Sequence, residues 1–575
     1  FTLEAAAMMV PMASVRLAAA RWLRRPLLAA AVLLALYGAL SFVNDPAGQL
    51  GSDSGSKAAT LRVMAESGRL DPDLGYWAER WDPAGRVHPF VYTKRIDDRW
   101  VNVTTLPMLY AAYPLYRLGG YRLALLLPML GAVLSALAAR ALARRISAGD
   151  GWPAFWLVGL ASPLAVYAID FWEHSLGLAA MAWATVFLHD AVEHRRGWPV
   201  AAAAGGLFGV AATLRTEAFV YGAVATALAC LVVLVVLVGR RRPYQALGIG
   251  LATSAGLAAA LAANFLLEVA TVGGSIRGAR ITGIASGAVA DAGDTFGLRV
   301  QEAAVSATGL FPSLEAAVLA IGFILAALLA YATFRLSRPG DAGPAVIAVV
   351  GIVALYAIRF AVGGEVLPSL VAMTPLAVVG AVLGWSHRPA RYFLGVAVLA
   401  LPLVWATEYV GGATNAVGAR YILMTGLILG TVGVVALPRL RRWARHGVVA
   451  LAVVVTAYGL AGMSNLTHGW ARVAAELAAR PEPVLVSRFS QLARVTGGTY
   501  GKHRWLSVID DADQAFAVGV LEQAGVTRFG LILAPDDEPE PVAGWSEVGR
   551  DEVVLPRYGA TTIVTYDIGS AEPRH

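Results

Sequence analysis

Apolar residues in this 575-residue chain gather into long unbroken runs separated by short polar turns. A helix needs roughly 17–25 such residues to cross the hydrocarbon core of a bilayer, and about thirteen runs meet that need. They fall near 26–43, 122–143, 153–169, 175–191, 200–218, 219–238, 245–270, 314–334, 344–362, 367–385, 392–410, 420–437 and 447–463. The pattern predicts a mainly α, polytopic membrane protein. After 465 the long runs stop. Short β-type runs at 483–489, 504–509, 528–534 and 561–565 alternate there with helical patterns at 470–479 and 513–524, which predicts a small α/β domain over 466–575.

Composition agrees with the runs. Hydrophobic residues make up 57% and charged residues 15%, with a mean hydropathy of +0.62, which excludes an ordinary soluble domain. The net charge of +7 is no nucleic-acid footprint, because the arginines sit in alternate turns. These are Arg24 and Arg25, Arg144 and Arg145, Arg195 and Arg196, Arg240 to Arg242, Arg335 and Arg338, Arg388 and Arg391, and Arg439 to Arg445. Basic turns face the cytoplasm, so the N-terminus is expected inside and the 466–575 domain outside, as an odd number of spans requires. Cys230 is the only cysteine and lies in an apolar run, so an intramolecular disulfide is excluded and a catalytic thiol would be poorly ionised. Lysine occurs only at 57, 94 and 502, and with abundant Ala and Gly this points to a GC-rich bacterial genome, hence a bacterial cell membrane.

Residues 1–25 read as a cytoplasmic segment, of which the stretch before Met8 or Met12 is set aside from the fold. The first run has no clear small-residue cleavage site, so it reads as an anchor rather than a removed signal. Within the membrane domain, 26–465, two long segments are expected on the outer side. The first, 44–121, holds a helical stretch at 56–67 and a turn-rich 77–98 region, and its apolar, aromatic end should lie flat at the interface. The second, 271–313, is rich in Gly, Ala and Ser and reads as a mobile loop over a site. No internal repeat is visible, which counts against a transporter built from repeated halves.

Ionisable residues at the outer helix ends carry the chemistry. Gly51-Ser52-Asp53-Ser54-Gly55-Ser56-Lys57 follows the first run as a loop with one carboxylate. The turn after the third run reads Asp170-Phe171-Trp172-Glu173-His174, and the fifth ends Leu214-Arg215-Thr216-Glu217. Arg359, Glu365 and Glu408 end or follow later runs, and Gly418-Ala419-Arg420-Tyr421 opens the twelfth. Charges within a bilayer are costly and stand as functional hypotheses. Plainer readings compete: Asp53 as a helix cap or a partner for Lys57 one turn on, Asp170, Glu173 and His174 as an interfacial turn anchored by Trp172, Arg215 paired only with Glu217, and Arg420 reaching to headgroups. For Arg359, Glu365 and Glu408 the plainer reading is preferred.

On these residues the chain resembles the GT-C glycosyltransferases, the membrane superfamily that includes protein O-mannosyltransferases and aminoarabinose transferases. The likeness lies in Asp53 soon after the first span, the long first loop ending in Tyr113-Pro114-Leu115-Tyr116, the acidic turn at Asp170 to His174, and Leu214 to Glu217. It covers about 20–240 by motif and the rest by architecture. One departure is that Asp53 stands alone where many relatives carry paired acids, Asp97-Asp98 being far along the loop.

The resemblance implies a polyprenyl-phosphate-linked sugar donor, a glycan, lipid or protein acceptor, and surrounding membrane lipids. A carboxylate near the acceptor hydroxyl takes its proton, for which Asp53 is the choice. Guanidinium groups stabilise the departing phosphate, for which Arg215 and Arg420 are the choices. Direct displacement with one base would invert the anomeric carbon. Asp170, Glu173 and His174 form a second acidic site that would suit a divalent cation such as Mg or Mn, with Asp170 and Glu173 as its oxygen ligands, though these are few for a metal. Two rival functions stand: a transporter or flippase of a lipid-linked glycan, and a ligase using a lipid-diphosphate donor. The flippase would want charge through the whole membrane depth, and the ligase would use Arg277, Arg280 and Arg299 of the second loop.

Overall fold

Inside a bilayer the backbone must satisfy its own hydrogen bonds, so each apolar run is driven to helix. The computed structural model describes residues 26–568 apart from 91, 104, 194–196, 238–242, 277–294, 310–342, 362–368, 408–416, 498–499, 536 and 539–540. The expected span at 314–334 lies outside the described residues, as do Arg277, Arg280, Glu365, Glu408 and the side chain of Arg359.

The chain opens with α1 (Pro26–Leu40) and α2 (Ser52–Ser67), then a hairpin of β1 (Thr93–Ile96) and β2 (Arg99–Asn102). Next come α3 (Leu106–Ala124), α4 (Leu126–Ile146), α5 (Trp152–Leu160), α6 (Leu164–Tyr167), α7 (His174–Glu193), α8 (Trp198–Leu214), α9 (Ala218–Leu237) and α10 (Pro243–Val272). The second half of the bundle holds α11 (Thr295–Thr308), α12 (Gly343–Ala361), α13 (Leu370–Met373), α14 (Pro375–Leu383), α15 (Ala390–Thr407), α16 (Leu423–Ala436) and α17 (Arg442–Ala478). Among the described residues eight helices are long and apolar enough to cross a membrane, and three shorter apolar ones accompany them.

Two expected spans are broken rather than continuous. The run at 153–169 divides into α5 and α6 at Ser162-Pro163, where proline has no N–H to give. The Ser162 hydroxyl bridges the gap, donating to the Val158 carbonyl (2.7 Å) and accepting from the Leu164 N–H (3.2 Å). The run at 367–385 divides likewise before Pro375. Close helix packing relies on small residues: a Cβ on Gly205 of α8 would lie 1.9 Å from the Thr253 carbonyl of α10. The segment 271–313, expected as a loop, contains α11 in its described part.

A correction concerns the last span. The separate helix expected at 470–479 is instead the end of α17, which runs 37 residues without interruption from the bundle into the terminal domain. At 1.5 Å per residue it is roughly 55 Å long. The polar stretch from Ser464 to His468 lowers its hydropathy without breaking its hydrogen bonds, because Ser464, Thr467 and His468 all bond within or beside the helix.

The terminal domain comprises β3 (Val484–Ser487), α18 (Leu492–Val495), β4 (Arg504–Ser507), α19 (Asp511–Gln523), β5 (Arg528–Ile532), β6 (Trp545–Leu555) and β7 (Gly559–Ile568). The sheet order is β4-β3-β5-β7-β6, with β3 parallel to β4 and β5, and β7 antiparallel to both neighbours. β6 was not expected from the sequence. Its core is shared with the segment between α1 and α3: Tyr76, Ala78, Val87 and Trp100 pack with Val484, Leu506 and Phe529, and Ala59, Leu74 and Phe90 pack with Trp470, Leu485 and Trp505. Polar contacts tie the two as well, Trp77 Nε1 donating to the Trp505 carbonyl (3.0 Å) and the Ser507 N–H to Val87 (3.0 Å).

Candidate active site

Asp53 lies not in a loop but in the first turn of α2, where Gly51 is the N-cap and the Ser54 hydroxyl accepts from the Gly51 N–H (3.3 Å). A carboxylate there is favoured by the helix dipole. Asp53 and Lys57, one turn apart, share a face of α2. They do not pair. Lys57 is buried and its Nζ lies 2.6 Å from Glu173 Oε2, across to the turn before α7. Asp53 faces Arg420, with Oδ2 3.5 Å from Nη1.

Arg215 follows the last residue of α8 with extended backbone (φ −139°, ψ 127°), which turns its side chain back toward α7. Its Nε donates to Glu217 (2.9 Å) and its Nη1 to Glu173 (3.3 Å). Glycine at 177 makes room for it, since a Cβ there would lie 2.7 Å from Arg215 Cγ. Arg420 is reached through two consecutive left-handed residues, Gly418 (φ 60°) and Ala419 (φ 57°). For alanine that conformation is uncommon and costs of order 1–3 kcal/mol, so the surroundings must hold it. The Tyr167 hydroxyl does so in part, donating to the Val417 carbonyl (2.6 Å). Tyr421 reaches both arginines, its ring centroid 5.3 Å from the Arg215 guanidinium carbon and 4.8 Å from that of Arg420.

The structure therefore brings Asp53, Asp170, Glu173, Arg215 and Arg420 into one charged cluster at the end of the bundle that carries the terminal domain. Asp53 is its most open member, with 38% of its side chain exposed against 14% for Arg420 and 4% for Arg215. Burial pushes Asp170 up to about 7, against the pull of Lys57, the Ser54 hydroxyl and the Phe171 N–H. Burial also opposes ionisation of Glu173, but Lys57 and Arg215 outweigh it and hold that carboxyl below its usual range.

The His174 ring stacks on Tyr167 (4.8 Å between centroids, 15°). Asp170, Glu173 and His174 do not fit a resident cation, since Glu173 is held by two cations of the protein itself. Among the described residues no three His, Cys, Asp or Glu side chains are placed to share one. Arg299 of α11 is engaged elsewhere, donating to the Trp405 carbonyl (3.0 Å).

Sequence reasoning weighed Lys57 only as a partner for Asp53 and passed over Tyr421. The signal was present for Lys57: it is one of three lysines in the chain, set four residues after the acid. For Tyr421 the only signal was adjacency to Arg420.

Fold and site together define a polytopic membrane protein with a charged cluster under a terminal α/β domain. No family model matches the sequence, and no curated protein matches it. Among solved structures the chain is similar to ArnT from Cupriavidus metallidurans in the apo state, at 17% identity and a TM-score of 0.40, over 95% of this chain and 98% of that one. The form bound to undecaprenyl phosphate aligns with the same identity and score, over 93% and 97%. It is similar also to the archaeal oligosaccharyltransferase AglB from Archaeoglobus fulgidus in complex with an inhibitory peptide and a dolichol-phosphate, at 11% identity and a TM-score of 0.44, over 88% and 69%. These likenesses are distant, and the chemistry of the site rests on its own side chains.

Proposed function

We propose that the protein is an inverting glycosyltransferase of the bacterial cell membrane, moving a sugar from a polyprenyl-phosphate donor to an acceptor hydroxyl on the extracytoplasmic face. In this reading about thirteen spans cross the bilayer, the N-terminus is cytoplasmic, and the α/β domain lies outside. The observation that carries it is the approach of Asp53 to Arg420, with the Tyr421 ring within reach of both Arg420 and Arg215. A carboxylate open to solvent stands beside two guanidinium groups that are largely shielded from it. That is what displacement of a lipid phosphate requires.

Asp53 takes the proton of the acceptor hydroxyl as the new C–O bond forms. The bond from the anomeric carbon to the phosphate oxygen breaks, and its electron pair leaves with the phosphate. Arg420 and Arg215 meet that charge where water is scarce and an ionic hydrogen bond is strong. Arg215 Nη2 has no acceptor among the described residues, which leaves it a donor for a phosphate oxygen. Glu217 and Glu173 fix the guanidinium plane in advance. Attack from the side opposite the phosphate inverts the carbon.

The test is incubation of the purified protein with a panel of radiolabelled polyprenyl-phosphate sugars, read as transfer or as donor hydrolysis. Turnover of one donor, lost in Asp53→Asn, is the expected result. No turnover of any donor, together with transport of a lipid-linked glycan across vesicles, would replace this reading with the flippase.

A further inference from the structure

We propose that the terminal α/β domain is a working part of the catalytic centre, holding Asp53 in place through a backbone contact at Gly55. The inference rests on the assignment of Asp53 as the base. Residues advance about 100° each around a helix, so Gly55 and Ala59 lie roughly 200° from Asp53 and Lys57 on α2. One face of α2 therefore builds the charged cluster, and the opposite face lies on the domain. There the backbones meet. A Cβ at Gly55 would fall 1.9 Å from the Arg494 carbonyl oxygen, 2.7 Å from its carbon and 3.3 Å from the Val495 nitrogen.

The contact is not isolated. Gln49 donates its N–H to the Val495 carbonyl (3.2 Å), and Gly497 would carry a Cβ 3.3 Å from the Gly55 carbonyl oxygen. Ala59 shares a core with Leu492, Ala493 and Val495 of α18. Ahead of α2, a Cβ on Gly48 would lie 1.9 Å from the Thr467 carbonyl of α17 and 2.6 Å from the Ala471 nitrogen. The lead into α2 and its rear face are thus both seated on the helix and domain that close the chain. Arg215 is held by Glu217 and Glu173, and meets α2 only at second hand, through the Lys57–Glu173 pair. The base rides on the domain directly and the Arg215 phosphate contact only through Glu173, so displacing the domain moves Asp53 more than Arg215.

Gly55→Ala tests this, with Gly497→Ala as the gentler step in the same interface. In Gly55→Ala, α2 must shift away from Arg494. A misplacement on the order of 1 Å costs about 10²-fold in turnover. Donor affinity, read by binding of the polyprenyl phosphate, should stay near wild type, and Gly497→Ala should lose much less turnover. Amide hydrogen exchange over 52–57 should quicken in Gly55→Ala while α16 keeps its protection.

Unchanged exchange over 52–57 would overturn the proposal, as would quickened exchange with normal turnover. A parallel fall of donor affinity, turnover and melting temperature would also overturn it, by showing a structural role alone. Equal losses in the two variants would overturn the specific contact. If the wild-type chain turns over no donor, the glycosyltransferase reading fails by itself, and the exchange experiment still decides whether the domain holds α2.

Discussion

Replacing Lys57 by methionine isolates the buried ion pair at the heart of the cluster. Nζ lies 2.6 Å from Glu173 Oε2, and the two side chains are 2% and 5% exposed. Methionine keeps most of the length and none of the charge. Removing one partner of a buried pair costs about 3–5 kcal/mol, chiefly because the other charge is left in a poor environment. Glu173 retains Arg215 at 3.3 Å, so the lower end, about 3 kcal/mol, applies here. The double variant Lys57→Met with Glu173→Met removes both charges and should recover part of the loss, since apolar replacement of a buried pair is often neutral. The assay is the unfolding free energy in bicelles, titrated with SDS, for wild type, both single variants and the double. Their cycle should show a coupling of about 2 kcal/mol, within the range for groups in direct contact. Additive single effects, or a Lys57→Met cost under about 1 kcal/mol, would refute the reasoning by showing a pair that water still reaches.

Asp53→Asn keeps the size of the side chain but cannot take a proton, so transfer should fall by about 10²–10⁴ while donor binding persists, and near-normal turnover would remove Asp53 from the base role. Arg215→Ala should weaken donor use by about 2–5 kcal/mol, and Arg215→Lys should restore only part, because lysine lacks the planar fork; unchanged donor affinity would refute the phosphate contact. Asp170 binds its proton more tightly folded than unfolded, so between 3.8 and about 7 the folded state holds the extra proton and stability falls as pH rises. Asp170→Asn should flatten the change in melting temperature between pH 5 and 8, and an identical slope in both proteins would contradict the burial argument. A cysteine in place of the exposed Lys502 should react with a membrane-impermeant thiol reagent in intact cells, and labelling only after lysis would overturn the proposed orientation.

The helices were legible because a bilayer leaves apolar runs no other structure, and the residue types of the cluster because charge at helix ends is rare enough to notice. Who pairs with whom was not. Asp53 and Lys57 share a face in sequence, yet the ammonium reaches Glu173, a choice made by the turn before α7, which brings that carboxylate up to α2. The break at Pro163 was hidden by the apolar residues on both sides of it. β6 went unseen because its Ser546 to Glu552 stretch lies mostly in water and shows no alternation of apolar positions; it is a strand because β7 pairs with it. The reach of α17 was misread for the opposite reason, since a polar patch ends a hydrophobic run without ending a helix.

That helix sets a rule for chain length. A flexible tether between bundle and domain would tolerate inserted residues at a small entropic cost. α17 does not. Each residue added between the bundle and Thr467 turns everything beyond it by about 100° and lifts it by about 1.5 Å. Seven residues nearly restore the angle but raise the domain by about 10 Å, far from Gly48 and Gly55. The stretch is phase-locked, and related chains with the same arrangement should vary at the exposed positions of this helix but not in its length.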